Sequence, residues 1–260
     1  MKKIFYAFYI AMSFNFVILS QQNSNIQVGV EEKLGVIVPD TLKLIESTGE
    51  IIGIGSIIDK PTLLALVYYE CPSICNPMLM NLGMMLEKVG LKHGEDFQVL
   101  TVSFSPYENH FHAKKWKKQF YNSFKKQIPE NAWRFFVADT GTIKVLTETV
   151  GFKYKETEDK NFSHSAVYIA LSPQRKVTRY LYGMRILPFD IKMAMIEARE
   201  GRETPTVNRF LEYCFSYDPV GQKYAFNFTK VFGTIILIFS FILLTIMYVY
   251  EKKRKAGEKK

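Results

Sequence analysis

Leu66-Val67-Tyr68-Tyr69-Glu70-Cys71-Pro72-Ser73-Ile74-Cys75-Asn76-Pro77 is where the chain passes from a strand pattern to a helix pattern, with two thiols at the junction. The apolar run 62–69 reads as a buried strand and 78–89 as the helix that follows it. Pro72 biases Cys71 away from helical backbone. Asn76-Pro77 reads as an N-cap followed by proline at the first helical position, which places Cys75 just outside a helix N-terminus. The partial positive charge there is expected to lower the pKa of Cys75. Thiolates so placed can ligate a soft metal or exchange disulfides, and the pair by itself is equally compatible with a structural disulfide.

Working outward, 97–103 reads as a second strand, with Val99, Thr101 and Ser103 alternating with Leu100, Val102 and Phe104. A helix is expected over 111–124, where Trp116, Phe120 and Phe124 share one face and Lys114, Lys115, Lys117 and Lys118 crowd the rest. Residues 133–138 form the third strand, and 142–150 a short helix ended by Gly151. A hairpin, 166–171 with 177–182, turns at Ser172-Pro173-Gln174-Arg175, and a last helix, 189–200, ends at Gly201. Strands alternating with helices and closing with a hairpin and a helix give an α/β class, in the order of a thioredoxin-like sandwich. Residues 21–48 read as a solvent-side lead-in and 49–205 as the folded domain.

Both ends of the chain are membrane-directed. Met1-Lys2-Lys3, an apolar run from residue 4 to 19 and polar Gln21-Gln22-Asn23 have the order of a secretory signal over 1–20, with an uncleaved anchor as the alternative. After a juxtamembrane segment, 206–230, residues 231–250 make a span of 20 predominantly apolar residues, the length of a transmembrane helix. The basic tail 251–260 begins Glu251-Lys252-Lys253-Arg254-Lys255, and such clusters favour the cytoplasmic side. The domain between then faces the periplasm or outside, from a cytoplasmic membrane. Of the net charge of +9, the two ends carry +6, so the domain itself is only mildly basic. That distribution marks topology rather than nucleic-acid binding.

Cysteine occurs three times, at Cys71, Cys75 and Cys214, which in an oxidising compartment looks like a working pair and a separate thiol rather than a disulfide scaffold. The four histidines are His93, His110, His112 and His164. His164, in Asn161-Phe162-Ser163-His164-Ser165-Ala166-Val167-Tyr168, stands at the entrance of a strand. It is either an ordinary loop histidine or a ring held over the helix mouth.

Tyr69-x-Cys71-Pro72-x-Ile74-Cys75, with His164-Ser165-Ala166 lying 89 positions beyond Cys75 and before a hairpin, resembles the Sco/SenC family of copper-binding assembly factors. The likeness covers about residues 50–200. Tyr213-Cys214-Phe215-Ser216-Tyr217-Asp218-Pro219 and the terminal span look like the bacterial branch with a C-terminal anchor. The resemblance implies a thioredoxin-like fold that binds one copper, Cu(I) or Cu(II), through Cys71, Cys75 and His164. It also implies a role in assembling the dinuclear copper centre of cytochrome c oxidase subunit II. An upstream periplasmic copper carrier or a thiol reductant would be a further partner. Two thiolates and an imidazole are a soft set that suits Cu(I), whereas structural zinc normally has four protein ligands. The chain departs from the family pattern in having Ser105-Pro106-Tyr107-Glu108-Asn109 where an acidic D-P-x-x-D segment is common, and Ser163 where aspartate often precedes the histidine.

Rival readings remain at this stage. A thiol–disulfide oxidoreductase would use Cys71 or Cys75 as its redox pair, although such enzymes usually space their cysteines with two residues between. A scaffold stapled by one disulfide leaves His164 without a role. Met78, Met80, Met84 and Met85 read as core rather than thioether ligands. His110 and His112 read as an exposed helix start rather than a second metal site, and the lysine cluster as a solvated face. Cys214 is either an extra ligand or redox partner, or a plain thiol near the membrane.

Overall fold

The computed structural model describes residues 28–124, 128–205, 215–218, 223–226 and 228–257. The signal segment 1–20 and Cys214 lie outside the described residues. The chain opens with β1 (Gly29–Val30), β2 (Lys43–Glu46), β3 (Ile51–Gly53) and the one-turn helix α1 (Ile54–Ile57). Then come β4 (Thr62–Val67), α2 (Cys75–Leu86), β5 (Gln98–Ser103), α3 (His110–Ser123), β6 (Trp133–Val137) and α4 (Thr140–Thr149). Short strands β7 (Phe152–Lys153), β8 (Lys155–Glu156) and β9 (Phe162–Ser163) precede β10 (Val167–Leu171), β11 (Val177–Tyr182) and α5 (Pro188–Glu200). A hairpin of β12 (Phe215–Asp218) and β13 (Lys223–Phe226) leads to α6 (Phe228–Gly257).

Seven strands form one sheet in the order β11-β10-β4-β5-β6-β2-β3. The central β4, β5 and β6 are parallel, and the flanking pairs are antiparallel. Every residue of β4 and β5 is buried, as expected of strands covered on both faces. Crossovers through α2 and α3 lead from each parallel strand to the next, and α5 packs on β10, β11 and β4 while touching α2. The α3 face foreseen from its spacing is the buried one: Phe120 packs its ring 4.2 Å from that of Trp133. Connections leave β4 toward β5 on one side while β10 closes the other. The loop after β4 therefore sits at the carboxyl edge of the sheet, where the strand order reverses and ligands characteristically bind.

The lead-in departs from the sequence reading. Residues 43–46 belong to the sheet as β2 rather than to a solvent-side lead-in, with Leu44 fully buried. The hairpin β2-β3 turns at Gly49, whose φ of 94° is open to glycine at little cost. Arg134 on β6 and Glu46 on β2 join the added strand by a two-pronged ion pair, at 3.0 and 2.8 Å.

The carboxy-terminal helix α6 is 30 residues long. Its side chains are described for 232–234 and 236–247, where Phe232, Ile236, Leu237, Ile238, Phe239, Phe241 and Ile242 are all exposed. Over the described residues, no helix is long and apolar enough to cross a membrane.

Gly151 ends α4 with φ 66°, and a Cβ placed on it would lie 1.9 Å from the Glu31 carbonyl oxygen. Backbone, not a movable side chain, occupies that space, and Glu31 N–H donates to Gly151 O at 2.8 Å. Gly151→Ala is expected to lower folding stability by at least about 2 kcal/mol through left-handed strain and the clash together. Chemical denaturation of the two proteins checks this; an equal or higher midpoint for the variant would refute the close approach.

Candidate metal centre

The arm that carries the cysteines is fixed before it reaches them. Beyond β4, Tyr69 N–H donates to Glu108 Oε2 and Glu70 N–H to Glu108 Oε1, both at 2.8 Å, while Ser103 Oγ–H donates to Oε2 at 2.6 Å. Glu108 is buried, and burial raises its pKa against the lowering effect of these three donors. The Trp116 indole donates to Tyr69 O, and the Tyr69 hydroxyl donates to Phe136 O at 2.7 Å. A loop whose backbone is tied at both faces has little freedom left in where it sends Cys71.

Helix α2 begins at Cys75 itself, with Ile74 in the cap position (φ −94°, ψ −31°) and no side-chain cap. Asn76 is thus inside the first turn rather than capping it, because Met78 N–H already donates to Ile74 O at 3.0 Å. Pro77 is tolerated there, since first-turn amides have no partner within the helix. Sulfur fills the cap role: Cys75 N–H donates to Cys71 Sγ at 3.5 Å.

This corrects the expectation that Cys75 is the acidic thiol. Cys71, half-buried, lies well below the usual thiol range, chiefly through a hydrogen bond from the Cys75 thiol, opposed by burial and helped by the His164 ring and the backbone amides of Cys75 and Ser73. Cys75 is fully buried, and that burial, with the Cys71 thiolate beside it, pushes its own pKa well up. The dipole of the helix start acts on the sulfur in front of the helix, which is Cys71.

His164 arrives from the other side. Lys155 pairs with Ser163 and Glu156 with Phe162 in the two-stranded β8-β9 hairpin, which ends just before the histidine. The hairpin tip places Asp159 and Lys160 at φ 57° and 60°, and Asn161 N–H donates to Glu158 O at 3.2 Å. Two successive left-handed residues make the turn type that matches strand twist. The His164 ring is walled by Phe104, Tyr68 and Phe152, with centroids at 5.1, 5.9 and 5.9 Å. Its Nδ1 lies 3.1 Å from Ser165 O. A carbonyl partner places a proton on Nδ1 and leaves Nε2 as the nitrogen that faces the sulfurs, 3.4 Å from Cys75 Sγ.

The Cys71, Cys75 and His164 donor atoms all lie within 4.8 Å of one another, an arrangement able to hold a metal ion. Cys71 and Cys75 are both free thiols. Among the described residues no other group of His, Cys, Asp or Glu is so gathered. His112 instead completes the cap of α3, its Nδ1 accepting from Asn109 N–H at 3.1 Å. Met78 is buried in the core as read, whereas Met84 is exposed.

Glu108 and Tyr68 were not singled out by sequence reasoning. Glu108 sits in the segment that departs from the acidic family pattern, so a carboxylate persists there at a shifted position. Tyr68 had a signal in the tandem Tyr68-Tyr69 before the cysteines. Its hydroxyl faces Cys71 and accepts from Phe162 N–H at 3.5 Å, linking the two arms.

Fold and site together define a thioredoxin-like α/β domain with a Cys-Cys-His cluster at the carboxyl edge of its sheet. The chain belongs to the SCO1/SenC family, whose profile matches residues 38–186. A candidate electron transfer protein of Aquifex aeolicus is similar at a TM-score of 0.59 and 25% identity, covering 65% of this chain and 95% of its own. Arabidopsis thaliana ScoI, solved with copper bound, shares the fold at a TM-score of 0.52 and 20% identity, over 63% of this chain and 98% of its own. BsSco, a Sco-family cytochrome c oxidase assembly protein with a disulfide switch, does so at 0.51 and 17%, over 65% and 96%. Among curated proteins none matches the chain.

The asymmetry of the two thiols has a measurable consequence. A lowered folded-state pKa means the Cys71 thiolate is present at neutral pH and is lost only as pH falls well below the ordinary thiol range. In the reduced, metal-free chain carrying Cys214→Ser, thiolate absorbance at pH 7 is expected to correspond to one sulfur, to vanish on adding Cys71→Ser, and to titrate at higher pH on adding Cys75→Ser. Two thiols titrating together near pH 8.5, the ordinary cysteine value, would refute the assignment.

Proposed function

We propose that the protein is a membrane-anchored copper chaperone that holds one copper ion through Cys71, Cys75 and His164 and assists assembly of cytochrome c oxidase. The convergence of two sulfurs and one imidazole nitrogen within 4.8 Å carries this reading. The set is soft, which favours Cu(I), and three-coordinate, short of the four protein ligands of structural zinc. Copper is the cargo. Cys75 and His164 are buried and hold the inner side, while half-buried Cys71 is the ligand an acceptor can reach first. Arabidopsis ScoI, solved with copper bound, and BsSco, of a family of cytochrome c oxidase assembly proteins, support both metal and pathway. The dinuclear centre of oxidase subunit II is the proposed destination.

The sequence carries the anchor: the apolar run 231–250 is 20 residues, and 20 helical residues reach about 30 Å. With the basic tail on the cytoplasmic side and 1–20 as a signal, the folded domain would face the periplasm or outside.

The thiolate character of Cys71 favours one second reading. As a reductase, the Cys71 sulfur would attack a disulfide of the target, forming a mixed disulfide and releasing one target thiolate. Cys75 would then attack Cys71, freeing the second target thiolate and leaving Cys71–Cys75 oxidised.

Titration of the reduced full chain in detergent with Cu(I), against a chromogenic chelator, tests the chaperone. One equivalent is expected to bind, stoichiometric binding to disappear in Cys75→Ser, and affinity to fall at least about tenfold in His164→Ala. Unchanged binding in both variants would overturn the ligand set. Reduction of an oxidase-derived disulfide peptide by the metal-free chain would favour the reductase.

A further inference from the structure

Tyr107 is 48% exposed, yet three contacts from the histidine-bearing hairpin converge on it. Its hydroxyl donates to Glu156 Oε1 at 2.7 Å, the Lys160 ammonium lies 5.1 Å from its ring centroid, and its ring is 6.3 Å from that of Phe162. Glu156, Lys160 and Phe162 lie on β8, the tip and β9 of one hairpin. A hydrogen bond, a cation and a ring from a single hairpin, all meeting on one side chain, tie that hairpin to the turn bearing Tyr107.

The next residue does the same for the opposite arm. Glu108 receives Tyr69 and Glu70 amides from the cysteine loop. The turn holding both is itself rigid: Ser105 N–H donates to Ser103 Oγ at 3.1 Å, Tyr107 N–H donates to Ser105 Oγ at 3.3 Å, and Pro106 lies between. One short turn thus grips the two halves of the site in opposite directions.

We propose that Tyr107 is a positioning residue for His164, clamping the hairpin 155–163 so that Nε2 stays in register with the sulfurs. The proposal rests on the metal-binding reading above. Tyr107 touches neither sulfur nor imidazole; it acts through Glu156 and Phe162. Releasing the clamp frees the histidine arm and leaves the cysteine arm, held by Glu108, in place. The ion would then be carried by sulfur alone.

The experiment uses the reduced full chain in detergent. Tyr107→Ala is expected to weaken Cu(I) binding about tenfold, as loss of an outer partner of a metal ligand does. Tyr107→Phe, which keeps the ring contacts, and Glu156→Ala are each expected to weaken it about threefold, the scale of one hydrogen bond. In a His164→Ala background Tyr107→Ala should add nothing. In the metal-free protein, amide exchange at 162–165 should quicken in Tyr107→Ala while that of β4 and β5 stays unchanged. Equal weakening with and without His164, or unchanged exchange at 162–165, overturns the clamp. If His164→Ala itself leaves copper binding unaltered, His164 is not a ligand and that part of the proposed function fails, and the exchange result alone decides whether Tyr107 holds the hairpin.

Discussion

The Glu108 carboxylate buried beneath the cysteine loop is the constraint on which the site depends. Leaving β4, the chain must expose two thiols at the edge of a fully covered sheet, where backbone amides have no ladder to join. Glu108 takes two of them and the Ser103 hydroxyl as well. A buried carboxylate is tolerated only with such partners. The pairing works in both directions: donors stabilise the charge, and the charge locks the loop into one conformation.

From that fixed loop follows the difference between two chemically identical side chains. Cys75 starts a helix and its sulfur is sealed in the core, so burial keeps its proton on. Cys71 stands in front of the same helix and caps it with sulfur, at 3.5 Å from the Cys75 amide. The pair therefore has an inner, retained thiol and an outer thiolate. The aromatic wall of Tyr68, Phe104 and Phe152 around His164 excludes water from the third donor and strengthens electrostatics inside the cluster. Such a site can hold an ion firmly on one side and offer it on the other.

Much of the fold was legible because its period signals are strong. Strand β4 is a nearly continuous apolar run, β5 alternates around Val99, Leu100 and Val102, and Trp116, Phe120 and Phe124 mark the buried side of α3. The hairpin β2-β3 escaped because its strands are three and four residues long, too short for periodicity to register. The β8-β9 hairpin escaped for another reason. Lys155-Glu156-Thr157-Glu158-Asp159-Lys160-Asn161 is polar throughout, and its turn relies on left-handed Asp159 and Lys160 without the glycine that usually announces such a turn. The cap at Asn76-Pro77 was misplaced because proline fits any position of the first turn, so sequence cannot fix which residue precedes the helix.

What the sequence alone determined is the identity of the donors and the architecture that presents them: soft Cys71 and Cys75 after a buried strand, and His164 before a hairpin. Such features are encoded in residue type and in near neighbours. Only the tertiary structure decided which sulfur is the more acidic, that Nε2 of His164 faces the other one, Cys75, and that Glu108 and Tyr107 contact the two arms. Those outcomes depend on burial and on hydrogen bonds between residues up to 89 positions apart. Spacing along the chain does not carry the distances and dielectric that set them.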